Sequence, residues 1–236
     1  MNPLVIVTGG TKGIGKAVIE RFLEGGFDVI TCARNDKDLF SLQAEMLTRF
    51  PNSQLLYSVS DLSLRADISS FIAFIQSQNR PVAALINNTG VFIPGQVHNE
   101  TEGTLEKTIE TNLYSAYHLT RGVLGGMMTE KKGHIFNICS TASITAYPNG
   151  GSYCISKFAL LGMTKVLREE MKPHQIKVTA ILPGATLTDS WKGTDLPVER
   201  FIDSRDVAEA IWSAFSLSPG AVIEEILIRP QLGDID

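Results

Sequence analysis

The chain has 236 residues, a length that suits one α/β domain rather than two. Its 44% hydrophobic and 19% charged residues exclude a disordered chain, and 20 Gly against 10 Pro show no collagen-like bias. With a net charge of −4 and Lys131-Lys132 as the longest basic run, there is no footprint for a phosphate backbone, so no nucleic-acid partner is expected.

Met1-Asn2-Pro3 runs straight into Leu4-Val5-Ile6-Val7 with no basic segment, so neither a leader nor a membrane span is predicted, and a cytoplasmic location is expected. That first apolar run predicts a strand over 4–8, followed by a helix over 13–24. A strand over 28–33 leads to a helix over 37–50, and a strand over 54–60 to a helix over 65–78. The rhythm continues with a strand over 83–87, a long helix over 102–129, a strand over 133–139 and a helix over 152–171. A strand over 177–182, a helix over 204–215 and a strand over 221–228 complete it. Seven strands apolar on both faces, joined by crossovers of a dozen or more residues, predict a doubly wound α/β fold: one parallel sheet with helices on both faces. Residues 1–236 are read as one domain. Within it, 184–203 is the one stretch without a clear period, and it is the candidate substrate loop.

Cys32, Cys139 and Cys154 form no Cys-x-x-Cys pair and are expected as buried thiols. His98, His118, His134 and His174 have no metal-ligand spacing, so no metal site is predicted.

After the first strand stands Thr8-Gly9-Gly10-Thr11-Lys12-Gly13-Ile14-Gly15. A strand that enters a helix through a turn poor in side chains aims backbone N–H groups and the positive end of the helix dipole at a pyrophosphate. The plain alternative is a tight βα turn. Where an acid at the end of the second strand would hold an adenosine ribose 2′-hydroxyl, this chain has Ala33-Arg34, with Lys12 in the loop. Two cations there favour a 2′-phosphate, hence NADP(H), unless both simply face water.

Tyr153 and Lys157 stand four apart at a helix start, one turn from each other on one face. Ser140 closes the fifth strand thirteen residues before Tyr153; Thr141 and Ser143 are its rivals. Taken together, Thr8-Gly9-x-x-x-Gly13-x-Gly15, Asn87-Asn88-Thr89-Gly90, Asn112, Ser140, Tyr153-x-x-x-Lys157 and Pro183-Gly184-x-x-x-Thr188 resemble, in order and spacing, the short-chain dehydrogenases/reductases. One departure is Thr89, where that family usually has Ala.

The resemblance implies a Rossmann-like fold and a carbonyl reduction in which Tyr153 gives the proton. Lys157 would favour the tyrosinate and hold the nicotinamide ribose, Ser140 would steady the substrate oxygen, and Asn112 would link Lys157 to solvent. For Asn112 the plain alternative is a local hydrogen bond within a helix. The resemblance also implies cofactor contacts from Gly9, Thr11, Lys12, Gly13, Ile14, Gly15 and Arg34. Asp61 and Leu62 would flank the adenine, Asn88 and Gly90 would lie under the adenosine ribose, and Pro183, Gly184, Thr186 and Thr188 would close over the carboxamide.

The loop after Thr188 is short, which points to a small or flat substrate, and Trp191 in it is either a lid or a core anchor. The C-terminal stretch 222–230 with Gly233-Asp234-Ile235 resembles the ends of bacterial sepiapterin reductase-like members, as Gly133-His134-Ile135-Phe136, Tyr153-Cys154 and the Trp191 loop resemble their counterparts, so a pterin side-chain ketone is one candidate substrate. A 3-oxoacyl thioester on an acyl carrier protein is the other, should Lys192, Arg200 and Arg205 converge into a docking patch. A silent NADP-binding sensor is a third reading, opposed by the intact Ser140, Tyr153 and Lys157. The family's habit implies a homodimer or homotetramer through the helices 102–129 and 152–171, with Leu119, Val123, Met127, Leu161 and Met163 free to serve the sheet or a partner.

Overall fold

A computed structural model describes residues 2–191 and 193–235. Among them, seven parallel strands form one sheet in the order β3-β2-β1-β4-β5-β6-β7. The strands are β1 Leu4–Thr8, β2 Asp28–Ala33, β3 Leu55–Val59, β4 Val82–Asn87, β5 Gly133–Ile138, β6 Ile176–Pro183 and β7 Glu225–Ile228. The helices are α1 Gly13–Glu24, α2 Asp36–Arg49, α3 Arg65–Ser77, α4 Thr104–Ile109, α5 Ser115–Glu130, α6 Gly151–Met171 and α7 Ser204–Phe215. None of these is long and apolar enough to cross a bilayer.

Alternate residues of the central strands point to opposite faces, and both faces are buried. Val5, Val7, Val29 and Ile86 pack with Val18, Phe22 and Ile211 of α1 and α7. Leu4, Ile6, Ile30 and Leu85 pack with Phe71, Leu119 and Leu167 of α3, α5 and α6. Strand order reverses between β1 and β4, and the crevice opened there at the carboxyl ends of the strands is where doubly wound sheets receive ligands.

Three expectations are corrected, and an alternative left open is resolved. The last strand is only 225–228: before it, Ile223 O accepts from Thr179 Oγ1 at 2.6 Å and Glu224 O from Ala180 N at 2.9 Å, but 221–224 has no strand conformation, and Glu225 and Leu227 face outward. Nor are all strands covered on both faces: at the other edge, Val59 of β3 is exposed. The predicted helix 102–129 starts at Thr104, after Gly103 at φ +84°, and its regular winding is broken by a π turn, Glu110–Tyr114, between α4 and α5. Leu119, Val123, Met127 and Leu161 serve the core and Met163 is half-buried; the large apolar side chains that these helices expose are Leu105, Tyr114, Tyr117, Ile155, Phe158 and Val166.

The amino end of the sheet is closed by charge. Arg80 Nη2 donates to Asp28 Oδ2 at 2.7 Å, and Asp28 Oδ1 accepts from Gln54 N at 2.8 Å and Asn2 Nδ2 at 3.1 Å. His134 of β5 is buried and stacked 3.8 Å from Phe136, with Nε2 2.7 Å from Thr179 Oγ1. Burial, with Lys177 nearby, pushes its pKa down to about 3, so it is neutral.

Candidate active site

The glycine loop folds back on its own strand. Gly9 N donates to Cys32 O at 3.0 Å, and Gly9 adopts φ +66°, the left-handed region that favours glycine. A side chain on Gly15 would stand 2.4 Å from Gly9 O, so only glycine lets α1 start this close to β1. Asn88 braces the same turn, its Nδ2 donating to Thr8 O at 2.8 Å and Gly9 O at 3.2 Å. The amide that resemblance assigned to the adenosine ribose thus also builds the loop.

Helix α1 begins differently from its neighbours. Asn35 caps α2, whose first turn holds Asp36 and Asp38, and Asp203 caps α7, with Asp206 in its first turn. In α1, Lys12 at the cap position gives the helix no capping hydrogen bond from its side chain, and the first turn contains no acid. An uncapped helix start reached through a side-chain-poor turn fits an anionic dinucleotide. Thr11 and Ile14 of that turn are half-buried.

Arg34 is exposed and makes no hydrogen bond or ion pair among the described residues. It lies near Asp61. Partial burial raises that carboxyl's pKa, but hydrogen bonds from Ser63 N and Oγ to its Oδ1, at 3.0 and 2.8 Å, outweigh this with help from the Arg34 and Lys107 charges, leaving it below the ordinary value. Leu62 is buried against Ile68 and Phe71. Lys12 does not stand free beside Arg34: its Nζ pairs with Asp189 Oδ2 at 2.9 Å, and this hydrogen bond and charge raise its pKa. Thr188 joins that contact, since a Cβ on Gly13 would lie 2.8 Å from Thr188 Cγ2. The stretch after β6 therefore arches over the glycine loop.

Its base is anchored from below. Gly184 N donates to Ile228 O at 2.8 Å, and buried Thr186 donates through Oγ1 to Gly184 O at 3.1 Å and bridges to Ile202. Pro183 is buried at the end of β6. Trp191 packs 5.0 Å from buried Phe201, which agrees with the anchor alternative. Lys192 lies outside the described residues; Arg200 donates to Asp234 O at 3.2 Å and Arg205 pairs with Asp203, so these two are already engaged.

Tyr153, Lys157, Ser140 and Asn112 come from α6, the end of β5 and the π turn. Lys157 is only 5% exposed; its Nζ donates to Ile138 O at 2.7 Å and lies 5.7 Å from the Tyr153 ring centroid. It has no carboxylate partner among the described residues. Asn112 is fixed on three sides: Oδ1 accepts from Val91 N at 2.7 Å, and Nδ2 donates to Val91 O at 3.0 Å and Ser156 Oγ at 2.9 Å. Gly90 opens between them, since a Cβ there would lie 3.4 Å from Asn112 Oδ1 and 3.6 Å from Lys157 Nζ. Ser140 Oγ accepts from Ala142 N at 3.1 Å, which leaves its hydroxyl hydrogen to donate. Of its rivals, Ser143 is buried and accepts from Ser140 N at 3.2 Å.

The cysteines take no part: all three are buried and free, and burial pushes Cys32 up to about 12 and Cys139 to about 11, so these two stay thiols at neutral pH. Sequence reasoning missed four residues. Phe92 sets its ring edge-on to Tyr153 at 5.0 Å, and Tyr147 lies close enough to Tyr153 to interact with it electrostatically. Thr89 Oγ1 is buried beside Gly9 without a partner, and Glu100 binds the start of α6. Only Thr89 had a signal, its departure from the family's Ala.

A family model described as short chain dehydrogenase matches residues 3–197. The chain is 28% identical over 243 residues to the sepiapterin reductase of Chlorobaculum tepidum, covering 100% of this chain and 99% of that protein. It is 28% identical over 218 residues to a 3-oxoacyl-[acyl-carrier-protein] reductase of Haemophilus influenzae, covering 88% of each. Its fold matches the crystal structure of a metagenomic short-chain oxidoreductase in complex with NADP, with a TM-score of 0.85 and 26% identity over 97% of both chains.

Proposed function

The chain belongs to the short-chain dehydrogenase family, and from that premise we propose that it uses NADPH to reduce the ketone of a small, flat substrate of pterin-like shape. One observation carries the chemistry: a lysine 5% exposed, beside a tyrosine and without a carboxylate partner among the described residues. Burying an unpaired ammonium is costly, and such a cost is retained where the charge has a task.

When bound, the reduced nicotinamide supplies the hydride to the carbonyl carbon. Tyr153 Oη gives its proton to the oxygen, and the Lys157 charge stabilises the tyrosinate left behind. Ser140 donates its remaining hydrogen to the same oxygen as negative charge develops there. Asn112 keeps Val91 and Ser156 in place around Lys157 and leaves one lone pair of Oδ1 toward the Gly90 opening, a place for a water that returns the proton from solvent.

Gly9, Thr11, Gly13, Ile14 and Gly15 form the pyrophosphate cradle, and Arg34 receives the 2′-phosphate. Asp61 and Leu62 flank the adenine, Asn88 and Gly90 back the adenosine ribose, and the segment from Pro183 through Thr186 to Thr188 covers the nicotinamide. Residues 184–203 serve as the substrate loop. Support for a flat substrate comes from the Phe92 ring set edge-on to Tyr153, from Tyr147 in electrostatic reach of it, and from similarity to a sepiapterin reductase. The exposed Tyr114, Tyr117, Ile155, Phe158 and Val166 are the surface for a homodimer or homotetramer, and light scattering on a size-exclusion column tests it: a monomer overturns that assembly.

The test of the activity is the loss of reduced-nicotinamide absorbance with sepiapterin, acetoacetyl thioesters, diketones and small aldehydes, NADPH and NADH in parallel. Turnover of sepiapterin with NADPH is expected. Turnover of the thioester alone would move the assignment to acyl reduction, and faster turnover with NADH would overturn the Arg34 reading.

A further inference from the structure

We propose that Glu100 is a positioning residue for Tyr153, acting through the first turn of α6; this rests on the reading of Tyr153 as proton donor. Helix α6 has Gly150 at its cap position and no acid in its first turn, so it has no cap of its own. The cap comes from 52 residues away. Glu100, in the segment between β4 and α4, accepts from Ser152 N through Oε1 at 2.8 Å and from Ser152 Oγ through Oε2. A carboxylate at a helix N-terminus satisfies free N–H groups and opposes the positive end of the dipole.

The surroundings are shaped to this one side chain. A Cβ on Gly151 would lie 2.3 Å from Glu100 Oε1, and one on Gly95 would lie 2.6 Å from Glu100 Cγ. Around it the two segments are laced together: Gly95 N donates to Asn149 O at 3.0 Å, Gly151 N to Gly95 O at 3.1 Å, and Gln96 Nε2 to Asn149 Oδ1 at 3.0 Å. Tyr153 is the next residue after Ser152, and Phe92, from the segment that Glu100 secures, rests edge-on against its ring. The carboxylate therefore fixes both the origin of the Tyr153 side chain and the ring packed beside it. A small error in the placement of a proton donor costs rate without costing cofactor affinity.

The experiment compares the wild type with Glu100→Ala, Glu100→Gln, Glu100→Asp and Tyr153→Phe, using the best substrate of the panel at saturating NADPH, with NADPH binding followed by fluorescence. Glu100→Ala is expected to lower kcat at least tenfold while the NADPH Kd stays within twofold. Glu100→Gln, whose amide oxygen can still accept from Ser152 N and whose NH2 can donate to Ser152 Oγ, is expected to recover kcat to within threefold of wild type. Wild-type kcat in Glu100→Ala, or a Gln variant as slow as Ala, overturns the proposal. Should Ala not fold, Glu100→Asp replaces it: one methylene short, it is expected to be slower than Gln, and equal rates overturn the proposal. Full turnover in Tyr153→Phe would instead remove the proton-donor reading itself, an outcome separate from an inert Glu100 beside an essential Tyr153.

Discussion

The two ends of the sheet bury charge in opposite ways. At the amino end, the Asp28 carboxylate and the Arg80 guanidinium satisfy each other and three further groups, Asn2 Nδ2, Gln54 N and Asn2 O, pinning the entries of β1, β2 and β3. At the carboxyl end, among the described residues, the Lys157 ammonium has one hydrogen bond, to the Ile138 carbonyl, α1 starts without a side-chain cap, Thr89 Oγ1 has no hydrogen-bond partner and Arg34 makes no hydrogen bond or ion pair. A closed set of partners stabilises the fold by itself, whereas an open set is completed by a ligand. On the function proposed above, the difference separates the residues that hold this molecule together from those that would make it act.

Substitutions at each end should break that contrast in opposite senses. Tyr153→Phe is expected to cut turnover by roughly 10³-fold, the loss of a general acid, with NADPH binding preserved in fluorescence titration. Asp28→Ala strands Arg80 and should lower the unfolding free energy by about 3–5 kcal/mol in urea melts, with unchanged kcat in the protein that remains folded. Lys157→Met should do the reverse, abolishing turnover while the unfolding free energy holds or rises by about 1–3 kcal/mol. Between the two ends lies His134, whose folded value of about 3 is below its unfolded value near ~6.5. Its contribution is fully present above pH ~6.5 and falls as pH drops toward 3, by about 2 kcal/mol at pH 5. His134→Leu should flatten that part of the pH–stability curve, as thermal melts at pH 7 and 5 would report. Arg34→Ala, the smallest effect, is expected to weaken NADPH binding about tenfold, ~1.4 kcal/mol, and leave NADH binding as it was.

The central strands were legible in sequence because both their faces are buried, so β1 and β2 read as unbroken apolar runs. The edge strand β7 was read four residues too long: Ala221-Val222-Ile223 is equally apolar, and periodicity does not report where hydrogen-bonded pairing begins. The glycine loop, Ser140, Tyr153 and Lys157 were legible from local spacing together with family resemblance, and the structure brings their elements to one end of the sheet. Contacts between distant positions were not legible. Lys12 was paired in sequence with Arg34, but its partner, Asp189, is 177 residues away. Asp28 with Arg80 and Glu100 with Ser152 left no sign either, since nothing in a single sequence links positions 52 residues apart. Asn112 was found by resemblance alone, and the π turn around it was not foreseen, because a one-residue slip in backbone hydrogen bonding has no compositional mark.

That π turn also sets how the chain tolerates a change of length. Removing one residue from a regular helix rotates everything beyond it by about 100° and would swing the buried face of α5 away from the sheet. Within Glu110–Tyr114 the helix already carries a surplus residue. Deleting one codon there would let the turn tighten into ordinary α-helix and keep α4 and α5 in phase with the core, while Asn112 lost its place beside Val91 and Ser156. A gene shortened by one codon at this point is expected still to encode a folded protein, and what it would forfeit is the geometry around one asparagine.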